Sequence, residues 1–283
     1  LPSKTFMGCS SVTELAFTGT TNITTINSSC FEGCTSLLSL PAEITSTITG
    51  INSRGFANCE AMESYTCSNN INKINSEAFY NCSGLTSIVI PDSVTSIGRS
   101  TFKGCGSLTS CTIGNSVTSI ANTVFMNCSG LTSIVIPDSV TSIGDSSFQG
   151  CSGLTSCTIG TGVTSIGDSA FYGCISLQGI TVEATTPPTL GYEPLNHTNN
   201  CPIYVPSGSV ETYKAARGWS DYASRIQAIQ PTIQTKWIAT YSDSHTESAE
   251  CDSTSAITSA EINKTNLVSV EIGDCVTSIG EQA

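Results

Sequence analysis

From Ser129 to Leu154 the chain reads Ser-Gly-Leu-Thr-Ser-Ile-Val-Ile-Pro-Asp-Ser-Val-Thr-Ser-Ile-Gly-Asp-Ser-Ser-Phe-Gln-Gly-Cys-Ser-Gly-Leu. Leu131-x-x-Ile134-x-Ile136 ends in period-two alternation, which reads as a short strand with Ile134 and Ile136 facing inward. Pro137-Asp138-Ser139 supplies turn chemistry directly after it. Asp145-Ser146-Ser147-Phe148 predicts one helical or 3-10 turn on the opposite wall, opened by an Asp or Ser cap. Cys151 and Leu154 then bring the chain back to the start of the same pattern.

The pattern recurs along most of the chain. Phe6, Phe31, Phe56, Phe79, Phe102, Phe125, Phe148 and Phe171 are separated by two intervals of 25 residues and then five of 23, and each is followed three residues later by a cysteine. Three residues beyond each cysteine stands Val12, Leu37, Met62, Leu85, Leu108, Leu131, Leu154 or Leu177. A repeat of this length is one coil of a solenoid, which buries its apolar side only against its neighbours. The expected architecture is a mainly β solenoid: a parallel sheet with strands about 4.8 Å apart, lined inside by phenylalanine, cysteine and leucine ladders. A second period overlies the first, because Ser83–Gly98 is identical to Ser129–Gly144. The unit of duplication is therefore two coils.

The L-x-x-I-x-I strands resemble the first half of a leucine-rich repeat. The fuller pattern I-P-x-S-V-T-S-I-G-x-x-x-F-x-G-C-x-x-L, at Ile90–Leu108 and again at Ile136–Leu154, resembles the short BspA-type bacterial class over about residues 6–190. It departs from the ordinary leucine-rich repeat in having no asparagine ladder after this strand. The resemblance implies an α/β or mainly β leucine-rich-repeat solenoid of an extracellular, cell-surface protein, whose relatives are associated with adhesion to host matrix proteins and to other cells.

Composition narrows the partners. The hydrophobic fraction is 39%, ample for a continuous core, while only 11% of residues are charged and the formal net charge is −12. That balance disfavours nucleic acid and anionic membranes, both of which reward clustered Lys and Arg, and no apolar run approaches a membrane span. Only two histidines occur, His197 and His245. No phosphate loop, EF-hand or HExxH motif is present, so neither a cofactor nor catalysis is expected. The recurrent Asp92, Asp138, Asp145 and Asp168 occupy turn positions, where capping explains them. The ladder cysteines lack zinc spacing and are read as small buried hydrophobes. Cys251 with Cys275 is the pairing expected if a disulfide forms at all.

The array is expected over residues 1–185 as about eight coils. Thr185-Thr186-Pro187-Pro188 breaks the pattern, because adjacent prolines stop helix and central strand alike. Residues 186–230 read as a C-terminal cap, with a strand at Ile203-Tyr204-Val205, a short helix over Ser209–Ala216, and Trp219 and Tyr222 covering the last coil. Ligand stacking by these two aromatics is the less favoured reading. Residues 231–283 read as the start of a second module: Lys236–Tyr241 alternates as a strand, and Leu267-x-x-Val270-x-Ile272 restarts the repeat just before the sequence ends, so further repeats are expected beyond it.

The outward residues of the strands define the candidate face: Ser87 and Val89, Ser110 and Thr112, Ser133 and Val135, Ser156 and Thr158, Gly179 and Thr181. It is flat, small-residued and nearly uncharged, and it suits an extended or repetitive partner. A host matrix or cell-surface protein, or a polysaccharide, is the expected ligand. A spacer with no ligand of its own and a substrate-holding accessory module of a larger enzyme remain open alternatives.

Overall fold

The computed structural model describes residues 1–17 and 22–230, and after these the backbone of the strands at 234–241, 246–251, 256–257, 267–272 and 278–279. Leu1–Ile229 and Gln230–Ala283 form separate units. The first is a parallel-strand solenoid of about nine turns with little helix.

The expected strand appears in coil after coil. Ser133–Ile136, Ser156–Ile159, Gly179–Val182, Ile203–Val205 and Ile226–Ala228 form a five-stranded parallel sheet, and Ser87–Val89 pairs with Ser110–Thr112 in the same sense. The alternation is visible residue by residue: along Ser133–Ile136, Ile134 and Ile136 are buried while Ser133 and Val135 are exposed. Register runs straight across, with Ile134 beside Cys157, Cys157 beside Ile180 and Ile180 beside Ile203.

A second parallel sheet lies beside the first. Its strands are two residues long: Thr25–Ile26, Gly50–Ile51 and Lys73–Ile74, then Ser119–Ile120, Ser142–Ile143, Ser165–Ile166 and Thr189–Leu190. Single bridges at Ile97 join the two groups. Elements this short carry no periodicity of their own, and only stacking at a one-coil offset turns them into a sheet. The threonines before these strands show why the Val-Thr-Ser-Ile sequence recurs. Thr118, Thr141 and Thr164 each donate their hydroxyl to the carbonyl of the equivalent threonine one coil earlier, at 3.0–3.3 Å. Thr109, Thr132 and Thr155 form a matching ladder beside the first sheet.

The turn expected at Asp145–Phe148 as helical or 3-10 is neither. Ser146 (φ 52) and Gly150 (φ 72) are left-handed and flank Phe148. This alternation sends every second N–H out of the coil: Ser146, Phe148 and Gly150 donate to Asp168, Ala170 and Tyr172 of the next coil at 2.8–2.9 Å. A helix would retain those donors and leave the coils unjoined on this wall. The second left-handed position is filled by Gly8, Gly33, Asn58, Asn81, Gly104, Asn127, Gly150 and Gly173, the residues that tolerate this conformation best.

Inside, the eight phenylalanines stack with centroids 5.0–5.6 Å apart and ring planes within 15° of parallel. The aspartates do not cap their own turns. Asp92 accepts the Asn115 N–H and Asp138 the Thr161 N–H, each one coil on, and Asp145 and Asp168 accept those of Asp168 and Tyr192. An asparagine ladder also exists, after the second strand rather than the first: Asn75 donates to Asn52 and Asn52 to Asn27, both at 2.9 Å.

Past residue 185 the coil continues in both sheets through Thr189–Leu190, Ile203–Val205 and Ile226–Ala228. The short helix spans Val210–Ala215. Tyr213 and Trp219 are buried edge to face, donating to the carbonyls of Ala184 and Pro188.

In the second unit, Gln234–Tyr241 pairs antiparallel with both Thr246–Cys251 and Leu267–Ile272. The repeat-like Leu267–Ile272 thus forms a strand with antiparallel partners, while Ser278–Ile279 pairs in parallel with Ala256–Ile257. The Cys251–Cys275 pairing lies outside the described residues.

Candidate binding face

Register brings the expected face together in two rows. Ser87 lies beside Ser110, and Ser133 beside Ser156 and Gly179; in the second row Val89 lies beside Thr112, and Val135 beside Thr158 and Thr181. Val89 and Val135 are 61% and 62% exposed. Between the second and third of these strands the surface dips into a shallow groove of about 420 Å³, bordered by Thr112, Asn115, Val135 and Pro137.

The face is not uniform to its end. Thr158, Gly179 and Thr181 are only half-exposed; Tyr204 follows Thr181 in register, and its ring lies over Gly179 of the preceding strand. A Cβ added at Gly179 would meet Tyr204 Cε2 at 2.9 Å. Tyr204 therefore belongs to the face, with Gln227 beside it. Its signal was present in the alternation of Ile203-Tyr204-Val205, whose middle residue must point outward.

The cysteines need more than the description of small hydrophobes. From Cys34 to Cys174, each ladder thiol donates to the carbonyl of the phenylalanine one coil earlier, at 3.0–3.2 Å. Cysteine is small enough to fit behind the ring and still carries a weak donor. Burial pushes up the thiols of Cys34, Cys59, Cys82, Cys105 and Cys128; that of Cys34 rises from 9.0 to about 11. All thirteen described cysteines are free. Among the described residues no group of three or more His, Cys, Asp and Glu could hold a metal ion, and no helix is long and apolar enough to cross a membrane. The charged group on the turn wall is structural: Arg54 sits between Glu32 and Glu77, and Arg54 and Lys103 lie over the Tyr80 ring.

The family pattern described as BspA type leucine rich repeat region matches residues 1–132 and 118–212, in six copies. The chain belongs to the BspA-type leucine-rich-repeat family. Solved structures with the same fold include a leucine-rich repeat protein of Bacteroides ovatus, 24% identical, with a TM-score of 0.55 over 72% of this chain and 58% of that one. Another, from Eubacterium ventriosum, is 19% identical, with a TM-score of 0.52 over 61% of this chain and 57% of that one. A leucine-rich cell surface protein of Faecalibacterium prausnitzii is 24% identical, with a TM-score of 0.44 over 64% of this chain and 62% of that one. The BspA-type chain thus spans about three fifths of the length of these proteins. Compared with proteins of curated function, its sequence has no significant match.

Proposed function

We propose that this BspA-type solenoid is a non-catalytic binding module of the bacterial cell surface that engages an extended protein partner, of the host matrix or of another cell, through its parallel-sheet face. The observation that carries this reading is the pair Val89 and Val135, about 60% exposed and two coils apart, with Ser and Thr beside them on the face. Leucine-rich-repeat solenoids are protein-binding scaffolds in general, and stacked coils suit large partners because they present a long regular surface. The uncharged face excludes phosphate-rich ligands and favours a partner that offers apolar side chains and backbone groups to the serine and threonine hydroxyls. In this reading residues 186–230 shield the last coil of the 1–185 array, because an open solenoid end exposes core and sheet edge, and residues 231–283 begin a further module.

The test is a screen of the purified chain against matrix and cell-surface proteins beside the Val89→Glu/Val135→Glu protein. Both side chains point to solvent, so the double variant should unfold at an unchanged temperature while binding falls at least about tenfold, since a charge in the centre of an interface is left unpaired. Binding that survives the two glutamates would remove the sheet face from the site. No binding by the parent protein would leave the spacer.

A further inference from the structure

The ninth coil keeps the backbone of the repeat and abandons its side chains. Ser169, Phe171 and Gly173 donate to the carbonyls of Tyr192, Pro194 and Asn196, in the ladder that joins every earlier coil. Aligned this way, Asp168 is replaced by Tyr192, Tyr172 by Asn196, Gly173 by His197 and Cys174 by Thr198. Two replacements have packing reasons, for Leu195 fills the place of the last phenylalanine and is buried, and Thr198 is held by the Arg225 guanidinium at 2.9 Å. The outward ones stay at the surface, where His197 meets the Tyr172 ring edge-on at 4.8 Å. Tyr192 is 70% exposed, and His197 takes a left-handed conformation (φ 57) where the preceding coil has glycine.

These residues border a trough on the turn wall. Two hollows, of about 470 and 570 Å³, adjoin it, and both are lined by Asn196, Asp221 and Tyr222. Tyr192 and Glu193 border the first; His197 and Arg225 border the second. The floor is fixed in advance. The Tyr222 hydroxyl donates to Asn196 Oδ1 at 3.2 Å. Arg225 lies over the Tyr222 ring at 5.3 Å, while its Nε donates to the Cys201 carbonyl. Of the two aromatics assigned above to covering the last coil, Trp219 is buried and Tyr222 is half-buried beneath Arg225, so it forms part of the floor.

We propose that this trough is a binding site for a neutral oligosaccharide. The exposed Tyr192 ring offers a flat apolar face to the C–H side of a pyranose ring. Side-chain amides and carboxylates beside them match hydroxyl groups, which both donate and accept. The carboxylates of Glu193 and Asp221 accept from sugar hydroxyls and favour a neutral ligand over a sulfated or phosphorylated glycan. A proline-rich peptide offers them fewer donors, since its proline nitrogens carry no hydrogen. The site is independent of the sheet face, since its residues occupy the turn wall.

The experiment is a screen of the full 283-residue chain on a glycan array carrying neutral and sulfated oligosaccharides, with a proline-rich peptide as a further probe, followed by calorimetric titration of the best binder. Saturable binding of a neutral oligosaccharide is expected. Tyr192→Ala and Asp221→Asn, both at exposed positions, should each weaken it about tenfold with unfolding temperatures unchanged. Val89→Glu/Val135→Glu should bind the same glycan with unaltered affinity. The proposal is overturned by the absence of neutral-glycan binding, by binding confined to sulfated glycans or the peptide, or by affinity that survives both trough variants.

Discussion

The thiol of Cys128 does two things at one place: it fills the space behind Phe125 and donates to the Phe102 carbonyl at 3.1 Å. Replacing it by Ala removes a buried atom and a hydrogen bond, a loss of about 1–3 kcal/mol. Replacing it by Ser keeps a donor next to the same acceptor and should cost less than Ala. If the site were packing alone, Ser would cost more, because its hydroxyl would be buried without gain; denaturant titration of the two variants separates the readings. The same burial sets the response to alkali. The Cys34 thiol is raised from 9.0 to about 11 and that of Cys67 to about 12, so the unfolded chain loses these protons first. Their contribution to stability is complete below about pH 9 and is lost as pH rises through 11–12. The denaturant midpoint should therefore fall steadily from pH 9 upward, and a flat profile to pH 11 would contradict the assignment.

At the scale of the element, each ladder binds one coil to the next more than it stabilises the coil itself. The phenylalanine stack shows this most directly. Phe125 is fully buried between Phe102 and Phe148, at 5.5 and 5.2 Å. Phe125→Ala should cost about 3–5 kcal/mol, and the damage should spread to both neighbouring coils, because each has lost the surface it buries against. Hydrogen exchange is the measurement: protection lost from about Thr101 to Gly150, with the coils near Phe31 kept, is the expected result. Exchange confined to the mutated coil would mean that coils are stable singly. The turn wall follows the same logic, since alternate left- and right-handed residues export backbone donors that a helical turn would have kept.

For the molecule as a whole, stability is close to a sum of coil and interface contributions. The identity of Ser83–Gly98 with Ser129–Gly144 allows a direct test. Deleting residues 83–128 joins Cys82 to a Ser-Gly-Leu-Thr segment identical to the one removed, so the register of every ladder is preserved. The shortened protein should fold cooperatively, with the same circular dichroism shape and a lower unfolding midpoint. A collapsed or aggregated product would show that the central coils are not interchangeable. It would retain one exposed valine of the pair on the sheet and an intact ninth coil, so sheet-face binding should weaken while any glycan binding stays.

The solenoid, the phenylalanine, cysteine and leucine ladders and the outward rows of the first sheet are all legible in the order of the residues. Each depends on periodicity, and a period repeated eight times in register admits one stacking. Tertiary structure decided what periodicity does not encode. The second sheet comes from two-residue strands that exist only beside their neighbours. The aspartates and threonines serve the adjoining coil, 23 residues away, although locally they read as caps and turn formers. The donor role of the thiols depends on where the preceding coil places its carbonyl. Tyr204 reaches the face, and Tyr192, Asn196 and Tyr222 reach one trough, because the chain keeps coiling after the repeat has dissolved as a sequence. Backbone hydrogen bonding between coils holds that path, and it is indifferent to the side chains from which a repeat is recognised.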